Sequence, residues 1–337
     1  RARGALALTY WMGSEFGGLF RILEISWREL RQRSRKYFDL AMKDPTSVTY
    51  MVASPTVLKQ RRYDEAIAYA ERAVALDPNN AEAHRALAYA LFYANRPEEA
   101  IESAKRALRL DPNNRAIPLQ YIGRAHFAMG NFEQAVSFIE RARDLNPKVT
   151  PHSAMLAAAL AHLGRDEEAR VALEQYNQGW GYSPSVGEVM YFWPFKDPVV
   201  AKRFAEGLVK AGLSPPPSGY YVLSDKKRLA GDEIRALVFG RTVTGFDPWS
   251  GEQWWIERSK EGQSTWRGTA EKSWSGPRVE ADSGTNWVDA DLLCERWDAQ
   301  DFQVCLPVFR NPEGTTEDKN EYLAIYDTGI YPWSPME

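Results

Sequence analysis

Two cysteines, four histidines and a scatter of carboxylates are the residues with the chemistry to bind metal, move electrons or transfer protons. Cys294 and Cys305 lie in two β-type runs joined by a short connection. Facing strands bring such a pair within bonding reach, and a bridge closing so short a loop contributes about 2–3 kcal/mol in the chain-entropy model. Three states are open to the pair: a structural disulfide, two buried thiols or a redox couple. A metal site there would need two further ligands, and no histidine follows His162. His126 and His162 fall on neighbouring helices without cysteine or a carboxylate pair beside them, so packing accounts for them better than metal. Asp289, Asp291, Glu295 and Asp298 are spread over turns and strand ends, which gives no basis for a general acid and base. No phosphate-binding glycine loop, dinucleotide fingerprint, zinc spacing or nucleophile elbow is present. The chain reads as non-enzymatic, with no cofactor and no metal.

The elements that would position a binding site are clearer. Tyr63-Asp64-Glu65-Ala66 leads to Leu76-Asp77-Pro78, Pro97-Glu98-Glu99-Ala100 to Leu110-Asp111-Pro112, and Phe132-Glu133-Gln134-Ala135 to Leu145-Asn146-Pro147. The small residue and the closing proline recur every 34 residues, once stretched to 35, the period of a tetratricopeptide helix pair. Ala66, Ala100, Ala135 and Ala169 are small because helices cross closely there, and Ala73, Ala107 and Ala142 serve the next face. Proline disfavours helix in the residue before it and so ends each second helix. The asparagine after it can cap the next one. Upstream, Trp27–Lys43 ends at Asp44-Pro45 and reads as the second helix of a divergent first repeat; Pro55 predicts that the next helix starts late or kinks. The fourth pair keeps Asp166-Glu167-Glu168-Ala169 and loses the closing proline, as a terminal unit would.

Residues 61–176 thus resemble the tetratricopeptide family, whose groove is lined by the first helix of each pair. In this register the lining is Arg85, Tyr89, Phe92 and Tyr93, then Gln120, Arg124 and Phe127, then Ala158 and His162. It lacks the Lys/Asn set with which chaperone-binding relatives clamp a peptide C-terminus. An aromatic lining with two arginines suits an apolar or acidic protein or peptide segment, with Arg85 and Arg124 as anion partners. The competing expectation is that the groove is filled from within, by the N-terminal helix or by the aromatic stretch 180–195.

A narrower resemblance covers residues 60–213. Phe192-Trp193-Pro194-Phe195-Lys196-Asp197-Pro198, Arg203-Phe204-Ala205-Glu206-Gly207-Leu208 and Lys210-Ala211-Gly212-Leu213 look like the tail that follows the repeats in bacterial class III adenylate/guanylate cyclases. The chain holds no cyclase domain, so the resemblance implies a sensory or docking region and carries no catalytic residue across.

Ser214-Pro215-Pro216-Pro217-Ser218-Gly219 begins a stiff linker, 214–224, by composition. Beyond it, Leu229–Phe239 reads as a short helix. Runs at 241–245, 253–257, 264–267, 292–297, 302–306 and 322–326 then read as strands separated by Gly, Asp, Asn and Pro. Together they predict a small antiparallel β-barrel or curled β-sheet after an α solenoid. Gly240-Arg241-Thr242-Val243-Thr244-Gly245 followed by the Leu-Cys…Cys hairpin resembles small bacterial lipocalin-like domains. The Trp-rich interior is read as ordinary packing or, alternatively, as an apolar pocket for a small molecule. Of the adjacent Trp254 and Trp255, a regular strand turns only one inward.

The chain divides into 1–60 (a divergent helical N-terminal repeat), 61–213, the linker 214–224 and 225–337, and composition marks the parts before and after Ser218 as two domains of different kind. From Ser218 onward 13 Lys and Arg stand against 21 Asp and Glu, a net of −8, whereas the whole chain carries only −3. Eight of the 12 tryptophans lie in that acidic part. The run Arg28, Arg31, Arg33, Arg35 and Lys36 could form a patch for acidic lipid or nucleic acid, but charge on one helix face reads first as solvated surface, and no nucleic acid is expected. No apolar run approaches the ~18 residues of a membrane span, and the start at Arg1 leaves room upstream for a signal segment or membrane anchor. A bridged Cys294–Cys305 would place the chain outside the cytoplasm, in the periplasm or secreted; free thiols would place it inside.

Overall fold

A computed structural model describes residues 2–15, 27–146, 151–180, 186, 189–190, 193–214, 225–246, 253–268, 281–298, 303–311, 320–325 and 330–336. The expected linker, Ser214 apart, lies outside the described residues. Two compact units form, one from Arg61–Ser224 with Gly314–Glu317, the other from Arg1–Gln60, Asp225–Glu313 and Asp318–Glu337. No helix among the described residues is long and apolar enough to cross a membrane.

The unit beginning at Arg61 is helical: α4 Tyr63–Leu76, α5 Ala81–Tyr93, α6 Pro97–Leu110, α7 Ala116–Ala128, α8 Phe132–Leu145, α9 Pro151–His162, α10 Asp166–Trp180 and α11 Pro198–Lys210. From α4 to α10 successive helices pack on one another, and α11 packs on α9; the expected small residues Ala66, Ala100, Ala135 and Ala169 are fully buried. A pair alone cannot cover its apolar face, and stacking makes one continuous core. The residue before each closing proline is extended as predicted, with φ and ψ of −148° and 81° at Asp77, −132° and 84° at Asp111, and −148° and 80° at Asn146. Asn80 caps α5 by accepting from the Glu82 and Ala83 amides. Asn114 does not repeat this: α7 starts two residues later, at Ala116, and carries Pro118 in its first turn, where a missing N–H costs nothing.

The second unit opens with α1 Ala2–Glu15, α2 Trp27–Ala41 and α3 Ser47–Lys59. Here α1 packs on α2 and α3, with Tyr10 stacked on Tyr37 at 5.7 Å between ring centroids. Pro55 does not delay α3, which starts at Ser47 because Thr46 and Thr49 form a reciprocal capping box ahead of it.

In the same unit, helix α12 Gly231–Val238 precedes, among the described residues, nine antiparallel strands: β1 Arg241–Phe246, β2 Gln253–Arg258, β3 Gln263–Gly268, β4 Ala281–Asp289, β5 Leu292–Trp297, β6 Gln303–Leu306, β7 Val308–Arg310, β8 Tyr322–Ile325 and β9 Ile330–Pro335. The order is β6-β5-β4-β3-β2-β1-β9-β8-β7. The two edge strands, β6 and β7, are consecutive in the chain with Pro307 alone between them. A single bent segment therefore pairs with β5 in its first half and β8 in its second, and the sheet nearly closes on itself. Leu229, Ile234 and Val238 pack into the same core as Val243, Ile256, Leu293, Leu306, Val308 and Trp333.

Three strands escape the sequence reading. β4 contains Asp282, Gly284 and Asn286, residues poor in strand propensity, yet it is central and paired on both sides. There packing and pairing override propensity. β9 carries Pro332 and Pro335, which count against a strand on sequence alone, and β7 is three residues long.

Candidate functional site

The expected groove residues fall into two groups. The first is covered by the chain's own segment 193–207. Phe195 packs on Phe92 and Tyr93 at 5.8 and 5.5 Å between centroids. Phe204 meets Phe127 edge-on at 6.1 Å and Trp193 at 4.6 Å. Hydrogen bonds secure the seat: Tyr63 Oη donates to Phe195 O at 2.9 Å, and the Lys196 amide donates to Tyr93 O at 2.9 Å. Arg203 Nη1 donates to Ala128 O at 2.6 Å, at the C-terminal end of α7. His162 Nε2 contacts Arg203 O at 2.8 Å, and its ring stacks on Phe132 at 4.7 Å. Gly207 lies against Ala158 so closely that a Cβ there would come within 2.8 Å of the Ala158 backbone. Asp197 makes the turn into α11 by capping the Val199 amide at 2.8 Å, and its other oxygen accepts from Asn95 Nδ2 at 2.9 Å.

Of the two internal occupants weighed, the aromatic stretch supplies Trp193 and Phe195, and helix α11 continues the cover. Tyr182, Tyr191 and Phe192 of that stretch lie outside the described residues. The aromatics of 180–195 were the available signal. What the sequence did not show was that Phe204, nine residues beyond Phe195, belongs to the same seat.

The second group is Arg85, Tyr89, Gln120 and Arg124. Tyr89 contacts Tyr93 at 4.9 Å and Tyr121 at 5.7 Å. Arg85 is only 5% exposed and pairs with Glu82 one turn earlier, Nε to Oε2 being 2.9 Å; its Nη1 has no acceptor. Burial lowers its pKa, opposed by Tyr121 and Asp111. Gln120, 4% exposed, leaves Nε2 without an acceptor. Arg124, 5% exposed, leaves Nε without one, and no carboxylate among the described residues pairs with it. Its guanidinium carbon lies 4.4 Å from the Trp193 ring centroid and 5.7 Å from that of Tyr121. The Tyr121 hydroxyl is raised in pKa by burial and lowered by Arg124 and Arg85, which places both cations near it. Gln120 and Arg124, four apart on α7, share a helix face. The arrangement leaves three donors unmet and one positive charge without a carboxylate partner among the described residues.

The remaining candidates have structural roles. Cys294 and Cys305 stand directly opposite each other on β5 and β6 and are joined, S–S 2.09 Å, so of the three states open to them the disulfide is present. His126 stacks on Phe138 at 5.5 Å. No cluster of three metal-ligating side chains occurs among the described residues. Asp291 accepts from the Gly231 amide at 2.8 Å and so holds the start of α12; Glu295 lies inside the sheet in an ion pair with Arg258 at 2.8 Å.

Two tetratricopeptide-repeat models match, over residues 54–115 and 91–160. No curated protein matches the chain significantly. Similar solved structures include PilW, a widely conserved type IV pilus biogenesis factor, at 18% identity over 62% of this chain and 89% of that one, TM-score 0.44. Pseudomonas aeruginosa PilF follows at 18% identity, over 63% of this chain and 89% of that one, TM-score 0.40. YrrB, described as a TPR protein with an unusual peptide-binding site, is 19% identical over 52% of this chain and 90% of that one, TM-score 0.34. The spacing of alanines and prolines, the stacked helix pairs and the two model matches agree: residues 54–160 are tetratricopeptide repeats.

Proposed function

We propose that the protein is a non-catalytic docking scaffold whose repeats bind an acidic protein segment along the strip Arg85, Gln120 and Arg124. The observation that carries this is Arg124. A buried charge left without a partner costs several kcal/mol, whereas ring contacts of the kind it makes with Trp193 and Tyr121 return about 0.5–2 kcal/mol. A carboxylate at its Nε removes that deficit; Gln120 Nε2 and Arg85 Nη1 are further unmet donors of the strip. Segment 193–207 already covers Phe92, Tyr93, Phe127 and His162 and its Trp193 lies on Arg124, so the partner's contacts are polar and reach side chains that are themselves buried. The repeats and the peptide-binding relatives of this fold support an interaction role in general. The disulfide favours an extracytoplasmic setting. The cyclase-like tail motif favours the outer part of a signalling receptor, its anchor upstream, or a free-standing relative of one.

Fluorescence anisotropy of the full chain with a labelled peptide of alternating glutamate and leucine tests the reading, the lysine–leucine peptide being the control. The acidic peptide is expected to bind, and Arg124→Gln to weaken it about 10- to 100-fold, the range for a hydrogen bond to a charged group. Equal binding of the two peptides, or an unchanged affinity for Arg124→Gln, would sink it.

A further inference from the structure

Helix α11 carries an outer face that is only partly polar. Its inner face, with Ala201, Phe204, Ala205 and Leu208 buried, turns to the array, where the helix packs on α9. The side chains left exposed are Pro198, Val199, Lys202, Glu206, Val209 and Lys210. A helix at the margin of a solenoid ordinarily turns polar residues outward, because no further repeat covers it. Here two large apolar side chains lie on that face, Val199 at 60% and Val209 at 38% exposed. At 3.6 residues per turn, Val199, Lys202, Glu206 and Val209 fall within a stripe about 80° wide. Between the valines, Lys202 Nζ and Glu206 Oε1 form an exposed pair at 3.8 Å.

The order along this stripe is its own complement. Two antiparallel copies of the helix, related by a twofold axis at the level of Phe204, set residues equidistant from Phe204 against each other. Val199 then meets Val209, Lys202 meets Glu206, and Pro198 meets Lys210. Every exposed residue of the helix finds a counterpart in a single register, and no like charges are opposed. A parallel pairing would set Lys202 on Lys202 and is repelled. An apolar peptide would leave Lys202 and Glu206 unanswered, and an acidic one would face Glu206.

We infer that the outer face of α11 is a self-association surface on which a second copy of this chain docks antiparallel. Val199 covers the partner's Val209, and Lys202 pairs with the partner's Glu206, each contact occurring twice about the axis. A single 13-residue helix buries less than the ~1,000 Å² of a stable interface, so the dimer is weak and forms as concentration rises. The surface is separate from the repeat strip and does not depend on what that strip binds. A dimer carries the strip twice, which gives avidity for a ligand with two acidic segments.

Sedimentation equilibrium of the full chain from about 10 μM to 1 mM tests it. The unmodified protein is expected to show a monomer–dimer equilibrium. Lys202→Glu and Glu206→Lys each oppose like charges twice across the axis and should each weaken association at least about tenfold. Mixed one to one, these two variants present complementary stripes and should associate again, as should the double variant Lys202→Glu with Glu206→Lys. Both positions are exposed, so helix ellipticity should stay unchanged throughout. A monomer over the whole range, or a dimer that both single variants leave intact, would overturn the proposal. So would a mixture that stays monomeric, since the loss in the single variants would then not arise across this register.

Discussion

The helix array and the β-sheet solve the same problem, burial of an apolar face, with opposite materials. In the array the small residues buried at the crossings are alanines, repeated every 34 or 35 residues, and each helix from α4 to α10 packs mainly on its neighbours in sequence. In the sheet they are tryptophan on glycine, and the centre holds an Arg–Glu pair whose members are 37 residues apart in the chain. One core is periodic and local, the other irregular and assembled across distance. A core built of one repeated small contact tolerates an added helix at its end, and α11 with Phe204 is such an addition. A core built of single large side chains has no equivalent position to fall back on.

Three measurements would break or sharpen this contrast. The largest effect is expected where the array departs from its alanine pattern. Phe204 is fully buried against Phe127, Trp193 and Phe195, and Phe204→Ala should cost about 3–5 kcal/mol, read from urea denaturation followed by helix ellipticity. A loss below about 1 kcal/mol would show that the covering segment is a loose appendage and not part of the core. Next comes the sheet's covalent tie. Replacing Cys294 and Cys305 together by serine should cost about 2–3 kcal/mol, seen in near-ultraviolet dichroism of the tryptophans. An unchanged midpoint would mean that pairing of β5 with β6 holds the seam unaided.

The smallest effect concerns pH. Burial first, and Lys105 second, depress the pKa of His126, whose Nδ1 is buried without an acceptor. Below pH ~6.5 the unfolded chain takes up a proton that the folded one resists, so stability is lost as pH falls through that window. His126→Phe should flatten the stability profile between about pH 7 and 5 by under ~1 kcal/mol. A variant profile as steep as the original would assign the acid sensitivity elsewhere.

The array was legible because its information is local. Ala66, Ala100 and Ala135 each sit at the same offset from a closing proline, and every such proline sets its predecessor extended whatever the tertiary context. The groove positions followed from that register, and the possibility that the chain fills its own groove followed from the aromatics that needed burial. Which of the expected positions the segment would contact did not follow, since that depends on where Trp193, Phe195 and Phe204 come to rest. In the sheet, six strands were readable from alternation, while β4 was hidden by the glycine, aspartate and asparagine that its neighbours require of it. Glu295 looked like one of several stray carboxylates until Arg258 was placed opposite.

By itself, then, the sequence determined the helix pairs, their ends and their small-residue crossings, the presence of a β-rich unit and the candidacy of Cys294 and Cys305 for a bridge. Tertiary structure alone decided that residues 193–207 cover Phe92, Tyr93, Phe127 and His162 and lay Trp193 on Arg124, that Arg124 is left without a counter-charge, and that Arg258, Asn286 and Glu295 meet inside the sheet. The reason is range. Turn, cap and periodicity rules act over a few residues and are written in each short stretch, whereas a buried charge finds or lacks its partner only once distant segments have closed around it.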